Sequence, residues 1–407
     1  MENYNYPNAI LITAGHVDHG KTTVVHALSG TWVARHSEEL KRAMTIKLGY
    51  TSINLSKCDN AEFSVAPSYL VEKCPNGEQP KPYRKISMLD APGHEVLIST
   101  MISGVTFVDA VIMIIDATMP VPQPQTEEHF LAASVMGINN LIIVQNKIDL
   151  VPKEKAIENY KQIQSFIRGT WAEGAPIVPI SALHKVNIDA LATIIDEKVP
   201  PKSINLEKPP IMYVLRSFNV NRPGTPVEKL VGGVVGGSLI QGRLRVGDDI
   251  EIRPGLKIGN TYRPINTKAV SIAMDNVQLE EARPGGLVAI GTKLDPALTK
   301  ADSLVGSVVG YPNQLYPVYT SVVLDYHQIQ RRDMKDQLKT GDQVMAIIGS
   351  ASIPGMVKSM RNSSVEVMLR KAVCAPPGSR AVIIKQVGGR WRITGWGALI
   401  DGQIILD

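Results

Sequence analysis

The sequence predicts an α/β domain, with a mostly parallel sheet and helices on both faces, followed by two β-barrel domains. Three observations carry this. Over residues 1–200 short apolar runs alternate with stretches of helical period, the order that builds parallel sheets. A proline-rich connector, Val199-Pro200-Pro201 through Lys208-Pro209-Pro210, then breaks the pattern, because proline cannot continue a helix. Beyond it no long helical period returns. Short β-branched runs recur between Gly-rich turns such as Gly232-Gly233-Val234-Val235-Gly236-Gly237 and Arg283-Pro284-Gly285-Gly286, the texture of closed barrels.

Taken in order, residues 9–14 read as a buried strand that runs into a Gly-rich loop and a helix from Lys21 to about Leu28. Later buried strands are expected at 86–90, 110–116, 140–145 and 177–180. Helical patterns fall at 94–101, 126–136, 155–168 and 188–198. The segment Tyr311-Pro312 through Tyr316-Pro317 marks a second joint. The expected division is therefore a first domain at 1–200, a linker at 201–210 and barrels at 211–312 and 313–407. There is no solenoid repeat and no low-complexity tract.

A chain of 407 residues exceeds one compact core, which fits two or three domains. Net charge is +5, and the segment 320–407 alone holds 12 Lys plus Arg against 7 Asp plus Glu. That excess is compatible with phosphate-backbone binding and equally with ordinary surface charge. Three cysteines argue against a disulfide framework and for a reducing compartment. Residues 1–9 lack the pattern of a secretory signal, and the apolar run 108–115 is too short to span a bilayer. A soluble, cytoplasmic protein with no membrane partner is expected.

Chemistry concentrates in the first domain. Gly15-His16-Val17-Asp18-His19-Gly20-Lys21-Thr22, followed by Thr23, is a phosphate-loop pattern between a strand and a helix. Its glycines let backbone N–H groups turn toward phosphates, and the helix N-terminus adds partial positive charge. Lys21 can reach β- and γ-phosphates, and the Thr22 hydroxyl can ligate Mg²⁺. Asn146-Lys147-Ile148-Asp149 selects the base: the Asp149 carboxylate can accept from guanine N1–H and the exocyclic amine, a pair adenine does not offer. Ser181-Ala182-Leu183 suits a loop whose Ala182 N–H meets guanine O6. Asp90-Ala91-Pro92-Gly93-His94 completes the set. Asp90 can hold Mg²⁺ through water, the Gly93 N–H can sense the γ-phosphate, and His94 can orient the attacking water.

The phosphate loop with His16, Asp18 and His19, together with the Asp90–His94 run, resembles the translational GTPase family. The likeness is narrower still to the gamma subunits of translation initiation factor 2. It rests on Glu38-Glu39-Leu40-Lys41-Arg42, Met44-Thr45-Ile46-Lys47-Leu48-Gly49-Tyr50, Gln123-Pro124-Gln125-Thr126-Glu127-Glu128-His129 and Ser217-Phe218-Asn219-Val220-Asn221-Arg222-Pro223-Gly224. The run at 232–237, Gly291-Thr292-Lys293-Leu294-Asp295-Pro296, and Gly389-Arg390-Trp391-Arg392 through Gly395-Trp396-Gly397 extend it to the end of the chain. The resemblance implies a GTPase that carries methionyl initiator tRNA to the small ribosomal subunit, as a trimer with alpha and beta subunits. It implies GTP and GDP as ligands, with GTPase-activating and nucleotide-exchange factors as partners. Under it, Thr45 would ligate Mg²⁺, Val17 and Met44 would form an apolar gate beside His94, and Lys21 would stabilise charge during hydrolysis. Tyr50, Gly236, Arg380, Arg390 and Arg392 are candidate tRNA contacts, whereas Trp391 and Trp396 are expected in the core.

The chain departs from the family pattern twice. Ala43 stands where the family's first switch usually has Gly, which puts local switch geometry in doubt. The family often carries a zinc knuckle of two Cys-x-x-Cys pairs; Cys58 and Cys74 are too few for structural zinc, so none is expected, and the loop should be held by packing. Other readings stay open: another tRNA-carrying GTPase, such as a selenocysteine-specific elongation factor, or a nucleotide-binding scaffold that does not switch.

Overall fold

The computed structural model describes residues 6–33, 48–59, 64–92, 98–201, 204–222, 224–259, 261–275, 277–330 and 337–406. The chain forms two compact units, Met1–Lys202 and Ser203–Asp407.

The first unit is built on a seven-stranded sheet. In chain order its elements are β1 (Ile10–Ala14), α1 (Lys21–Ser29), β2 (Gly49–Lys57), β3 (Val65–Pro67), β4 (Lys81–Asp90), α2 (Ile98–Val105), β5 (Ala110–Asp116), α3 (Pro124–Val135), β6 (Leu141–Asn146), α4 (Lys153–Ile167), β7 (Ile177–Pro179) and α5 (Ile188–Lys198). The strand order is β3-β2-β4-β1-β5-β6-β7. β4, β1, β5, β6 and β7 run parallel, whereas β2 and β3 add an antiparallel edge. Every residue of β5 is buried, as a central parallel strand covered on both faces requires. Asp90, Asp116 and Asn146 end β4, β5 and β6, so their side chains meet at one rim, beyond the carboxyl ends of the parallel strands. Open α/β sheets bind ligands at that rim.

The edge pair β2–β3 was not legible in the sequence. Where a helix was expected at 94–101, α2 begins at Ile98, and residues 93–97 lie outside the described residues. The expected packing-held loop between β2 and β4 is corrected by the structure: Cys58 and Cys74 form a disulfide. The antiparallel return of β3 along β2 places Cys58, just past the end of β2, within 5.4 Å (Cα–Cα) of Cys74.

The second unit holds β8 (Ile211–Phe218), β9 (Val234–Gln241), β10 (Leu244–Arg245), β11 (Asp249–Ile258), β12 (Thr261–Met274), β13 (Val277–Leu279), β14 (Glu281–Ala282), β15 (Leu287–Thr292), α6 (Pro296–Thr299), β16 (Val308–Gly310), β17 (Val318–Gln328), β18 (Gln343–Ile348), β19 (Ala351–Arg361), β20 (Ser364–Cys374), β21 (Arg380–Val387) and β22 (Arg390–Leu406). The first sheet, β11-β16-β8-β9-β15-β12-β13, closes on itself through β11–β12 pairing. The second is a closed barrel, β17-β20-β19-β18-β21-β22. In β19 buried and exposed residues alternate from Ala351 to Lys358, the period of a strand with one face on a core. Val322, Leu324, Val367, Ile383 and Leu399 fill that core.

The two barrels share a small apolar cluster in which Tyr262 and Val308 meet Ala372 and Cys374 around Leu315. The Tyr262 hydroxyl accepts from the Ala372 N–H at 3.1 Å. The joint between the barrels is held by a buried ion pair: Arg253 Nε donates to Glu251 Oε1 at 2.6 Å. Arg253 Nη1 also donates to the Leu315 and Tyr316 carbonyls, and Glu251 Oε2 accepts from the Asn313 N–H. Burial pushes the Cys374 thiol up to about 12, so it stays an inert packing group. Among the described residues no helix is long and apolar enough to cross a membrane.

Removing one partner of the buried pair strands the other charge. Glu251→Leu is expected to destabilise the second unit by about 3–5 kcal/mol, read as a lower urea midpoint for its unfolding transition. An unchanged midpoint would show that the pair does not hold the joint.

Candidate functional site

The phosphate loop leaves β1 and enters α1 at Gly20, which takes φ +91°. A Cβ there would come within 2.4 Å of Asn146 Nδ2, so both the backbone and the neighbour require glycine. No side chain caps α1, and a helix N-terminus is a place where backbone amides can meet an anion. Lys21 lies across the loop, its Nζ donating to the Gly15 carbonyl at 3.1 Å and the His16 carbonyl at 2.7 Å. Burial lowers its ammonium to about 8, against the opposing pull of Asp90 and Asp18. A phosphate beside it would relieve that desolvation. Thr22, in the first turn of α1, has its hydroxyl donating to Asp90 Oδ2 at 2.6 Å, and Thr13 donates to Asp90 Oδ1 at 3.0 Å. Thr23 follows in the same turn, and Val17 and Asp18 sit at the loop tip, Asp18 with φ 62°.

Two buried histidines tie the loop to its surroundings. His19 Nδ1 faces the Ile114 carbonyl at 3.1 Å, which calls for a proton on Nδ1. His129, on α3, accepts from the Gly15 N–H through Nδ1 at 2.9 Å, which calls for a bare Nδ1. Burial pushes both imidazoles down, His19 to about 4 and His129 to about 3, so both are neutral in their opposite tautomers.

The base side is tied to the phosphate side by Asn146. Its Nδ2 donates to the His19 carbonyl at 3.0 Å, and its Oδ1 accepts from the Ala182 N–H at 3.1 Å. The Ala182 N–H, expected to meet guanine O6, is thus already donated to Asn146. Lys147, at φ 64°, reaches back to the loop: its Nζ donates to the Asp18 carbonyl and pairs with Asp116 Oδ2, each at 2.7 Å. Burial pushes Asp116 up, but hydrogen bonds from Lys147 and Thr118 outweigh it and hold the carboxyl below its usual range. The Asp149 side chain is 24% exposed and faces His184 Nε2 at 3.6 Å. Ser181 accepts from the His184 N–H at 3.4 Å, which shapes the turn around Ala182, while Leu183 points into solvent.

Not all expected residues come together here. Met44, Thr45, Gly93 and His94, together with Ala43, lie outside the described residues. Tyr50 is exposed at the start of β2, opposite Leu89. In the second unit, Gly232, Gly233 and Gly237 are explained by packing: a Cβ would strike Thr292, Thr299 or Tyr213 below 2.5 Å, whereas Gly236 has room. Arg380 pairs across the sheet with Ala398, far along β22 from Arg390 and Arg392, which oppose Val387 and Lys385. Trp396 is not in the barrel core; it lies half-buried on the outer face between Arg380, 4.2 Å over its ring, and His327, at 4.6 Å. Sequence reasoning passed over His129 and Asp116. The signals were present, in the Gln123–His129 run used only as a family mark and in the carboxylate that ends an apolar strand.

The comparisons match this geometry. Residues 7–201 fit the model of the Elongation factor Tu GTP binding domain, and residues 321–399 fit Initiation factor eIF2 gamma, C terminal. A curated protein from Sulfurisphaera tokodaii named translation initiation factor 2 subunit gamma is 47% identical, covering 97% of this chain and 98% of that protein. The chain belongs to the translation initiation factor 2 gamma-subunit family. Another member of that name, from Archaeoglobus fulgidus, is 48% identical over 98% of this chain and 96% of its own length. Among solved structures, a bacterial selenocysteine-specific elongation factor shares the fold with a TM-score of 0.75 at 23% identity, covering 97% of this chain; the chain spans 58% of that longer protein. The first unit is a GTP-binding domain and the second carries β-barrels.

Losing the acceptor on His129 orphans a buried N–H, at a cost of about 1–3 kcal/mol. His129→Leu is therefore expected to weaken GDP binding by about 5- to 150-fold in calorimetry, while His129→Asn, whose Oδ1 can accept the same bond, retains most of it. Equal binding by His129→Leu and wild type would show that the bond does not set the loop.

Both histidines also make stability pH-dependent. Their folded values, about 4 and 3, lie below the ordinary 6.5, so their contribution is complete above pH 6.5. As pH falls below 6.5 the unfolded chain takes up protons that the fold refuses, and stability declines until pH reaches the folded values, about 4 for His19 and about 3 for His129. Thermal unfolding followed across that range should show a slope that becomes shallower in His129→Asn.

Proposed function

We propose that this translational GTPase carries methionyl initiator tRNA to the small ribosomal subunit in its GTP state. It would do so together with alpha and beta subunits, and be reset by activating and exchange factors. The observation that carries the nucleotide half is the Asn146 carboxamide, bonded at once to the phosphate loop and the base loop. The initiation half is supported by near-full-length identity of 47–48% to proteins named translation initiation factor 2 subunit gamma. The selenocysteine-specific factor matches at 23%, a likeness of fold alone.

In this reading the amides of residues 17–20 and of the first turn of α1, Thr22 and Thr23 included, cradle the phosphates, and Lys21 stabilises negative charge on them. Asp149 accepts from guanine N1–H and the exocyclic amine, Lys147 braces the loop, and Ser181, Ala182 and Leu183 close over the base. Guanine O6 shares the Ala182 N–H with Asn146 or takes it over. Thr22 and Asp90 place a hydroxyl and a carboxylate side by side at 2.6 Å, a hard-oxygen pair that suits Mg²⁺, with Thr45 as a further ligand. Bound there, Mg²⁺ would neutralise charge on the β- and γ-phosphate oxygens. Gly93 reports the γ-phosphate, and His94 orients water behind the gate of Val17 and Met44. Tyr50, Gly236, Arg380, Arg390 and Arg392 are proposed tRNA contacts.

Filter binding of methionyl initiator tRNA should show retention with GTP and weak retention with GDP. Equal retention in both states would favour a scaffold that does not switch, and preference for selenocysteyl-tRNA would favour the elongation-factor reading. His94→Ala should slow stimulated hydrolysis while leaving GTP affinity nearly unchanged; a large loss of affinity would contradict the role given to His94.

A further inference from the structure

The base loop holds two non-glycine residues at positive φ, Lys185 at 58° and Asn187 at 60°. Such conformations persist only where their surroundings hold them. From inside, the loop is fixed by Asn146, by the reciprocal Ser181–Val186 backbone bonds, and by Asn187 Nδ2 donating to the Pro179 carbonyl at 2.8 Å. On its outer side, Lys185 Nζ sits 4.9 Å from the centroid of the Tyr69 ring.

Tyr69 is firmly mounted. Its hydroxyl donates to the Ala27 carbonyl at 2.5 Å, one of the last carbonyls of α1. Its ring lies against Gly30, where a Cβ would approach the ring to 3.1 Å, and Gly30 itself closes α1 at φ 72°. The segment that carries Tyr69 is closed by the Cys58–Cys74 disulfide and paired to β2 through β3. It is tied to α5 by Thr193 Oγ1 donating to the Val65 carbonyl at 3.0 Å, and Leu70 packs on the core. One end of α1 presents Lys21 and Thr22 to the phosphates; its other end bears, through Tyr69, on the loop that closes over the base.

We propose that Tyr69 and Lys185 are positioning residues for guanine recognition. The stack fixes the distance from α1 to the base loop on the outer side, as Asn146 does on the inner side. The disulfide-closed segment is then a brace for the nucleotide site. This rests on the guanine-nucleotide reading above.

The test is stopped-flow release of fluorescent mant-GDP from the full chain with Mg²⁺. Tyr69→Leu and Lys185→Met should each speed release by about 2- to 5-fold, the factor an exposed cation–π contact supports. The double variant should be no faster than the faster single, because both remove one contact. Tyr69→Phe keeps the ring under Lys185 and should release more slowly than Tyr69→Leu. Preference for GDP over 6-thio-GDP, whose sulfur replaces the O6 acceptor, should narrow in Lys185→Met. That change is not one a general loss of stability produces. Unchanged release in Lys185→Met, additive effects in the double variant, or equal loss with Phe and Leu at position 69 would overturn the proposal. If the unaltered chain does not bind mant-GDP, the nucleotide reading itself fails.

Discussion

One carboxamide sets the distance between the two halves of the nucleotide site. Asn146 ends β6 fully inside the protein, and its two polar atoms are spent on two different loops, the His19 carbonyl on one side and the Ala182 N–H on the other. No charged group could replace it without leaving a buried donor or acceptor unmatched. The same contact explains a sequence constraint elsewhere, since Gly20 must lack a Cβ to let the Asn146 amide approach. In the proposed reading, phosphate recognition and base recognition are therefore mechanically coupled. Lys147 adds a second strut by reaching from the base side to the Asp18 carbonyl and to Asp116.

Around this bridge two neutral imidazoles join the lysines in holding the loop. His19 and His129 present opposite tautomers to a carbonyl and an N–H, so each makes its bond without adding a fixed charge. Positive charge at the loop then comes from Lys21 and the helix terminus, with Asp90 and Asp18 as the opposing carboxylates. Desolvated Lys21 is costly to bury alone and gains from an anionic ligand. In the second unit, rigidity has a different origin: the Glu251–Arg253 pair and a shared apolar cluster fix the joint between barrels.

Much of this was legible in the sequence because it follows from local rules. The Gly-rich loop between an apolar strand and a helix, the change of texture after the prolines, and the strand-terminal Asp90 and Asn146 all signal their roles through spacing. What escaped notice depends on contacts between distant segments. His129 lies 114 positions from its partner Gly15, and no local period marks it as a ligand for a loop amide. The Cys58–Cys74 link was missed because a lone pair of cysteines says nothing about the β2–β3 hairpin that brings them together. Trp396 was expected in the core, yet its outward position on β22 leaves it stacked with Arg380 and His327. Gly232, Gly233 and Gly237, read as part of a Gly-rich barrel turn, are each required by close packing within the barrel.

The coupling of the two subsites through Asn146 is the central claim, and titration calorimetry of GDP against Asn146→Asp tests it most directly. The substitution keeps shape and volume but turns the Nδ2 donor into an oxygen that repels the His19 carbonyl. Affinity should fall by about two orders of magnitude, the worth of a buried bond lost to an unpaired charge, with the circular dichroism spectrum preserved. GDP affinity equal to that of the unaltered chain would contradict the account.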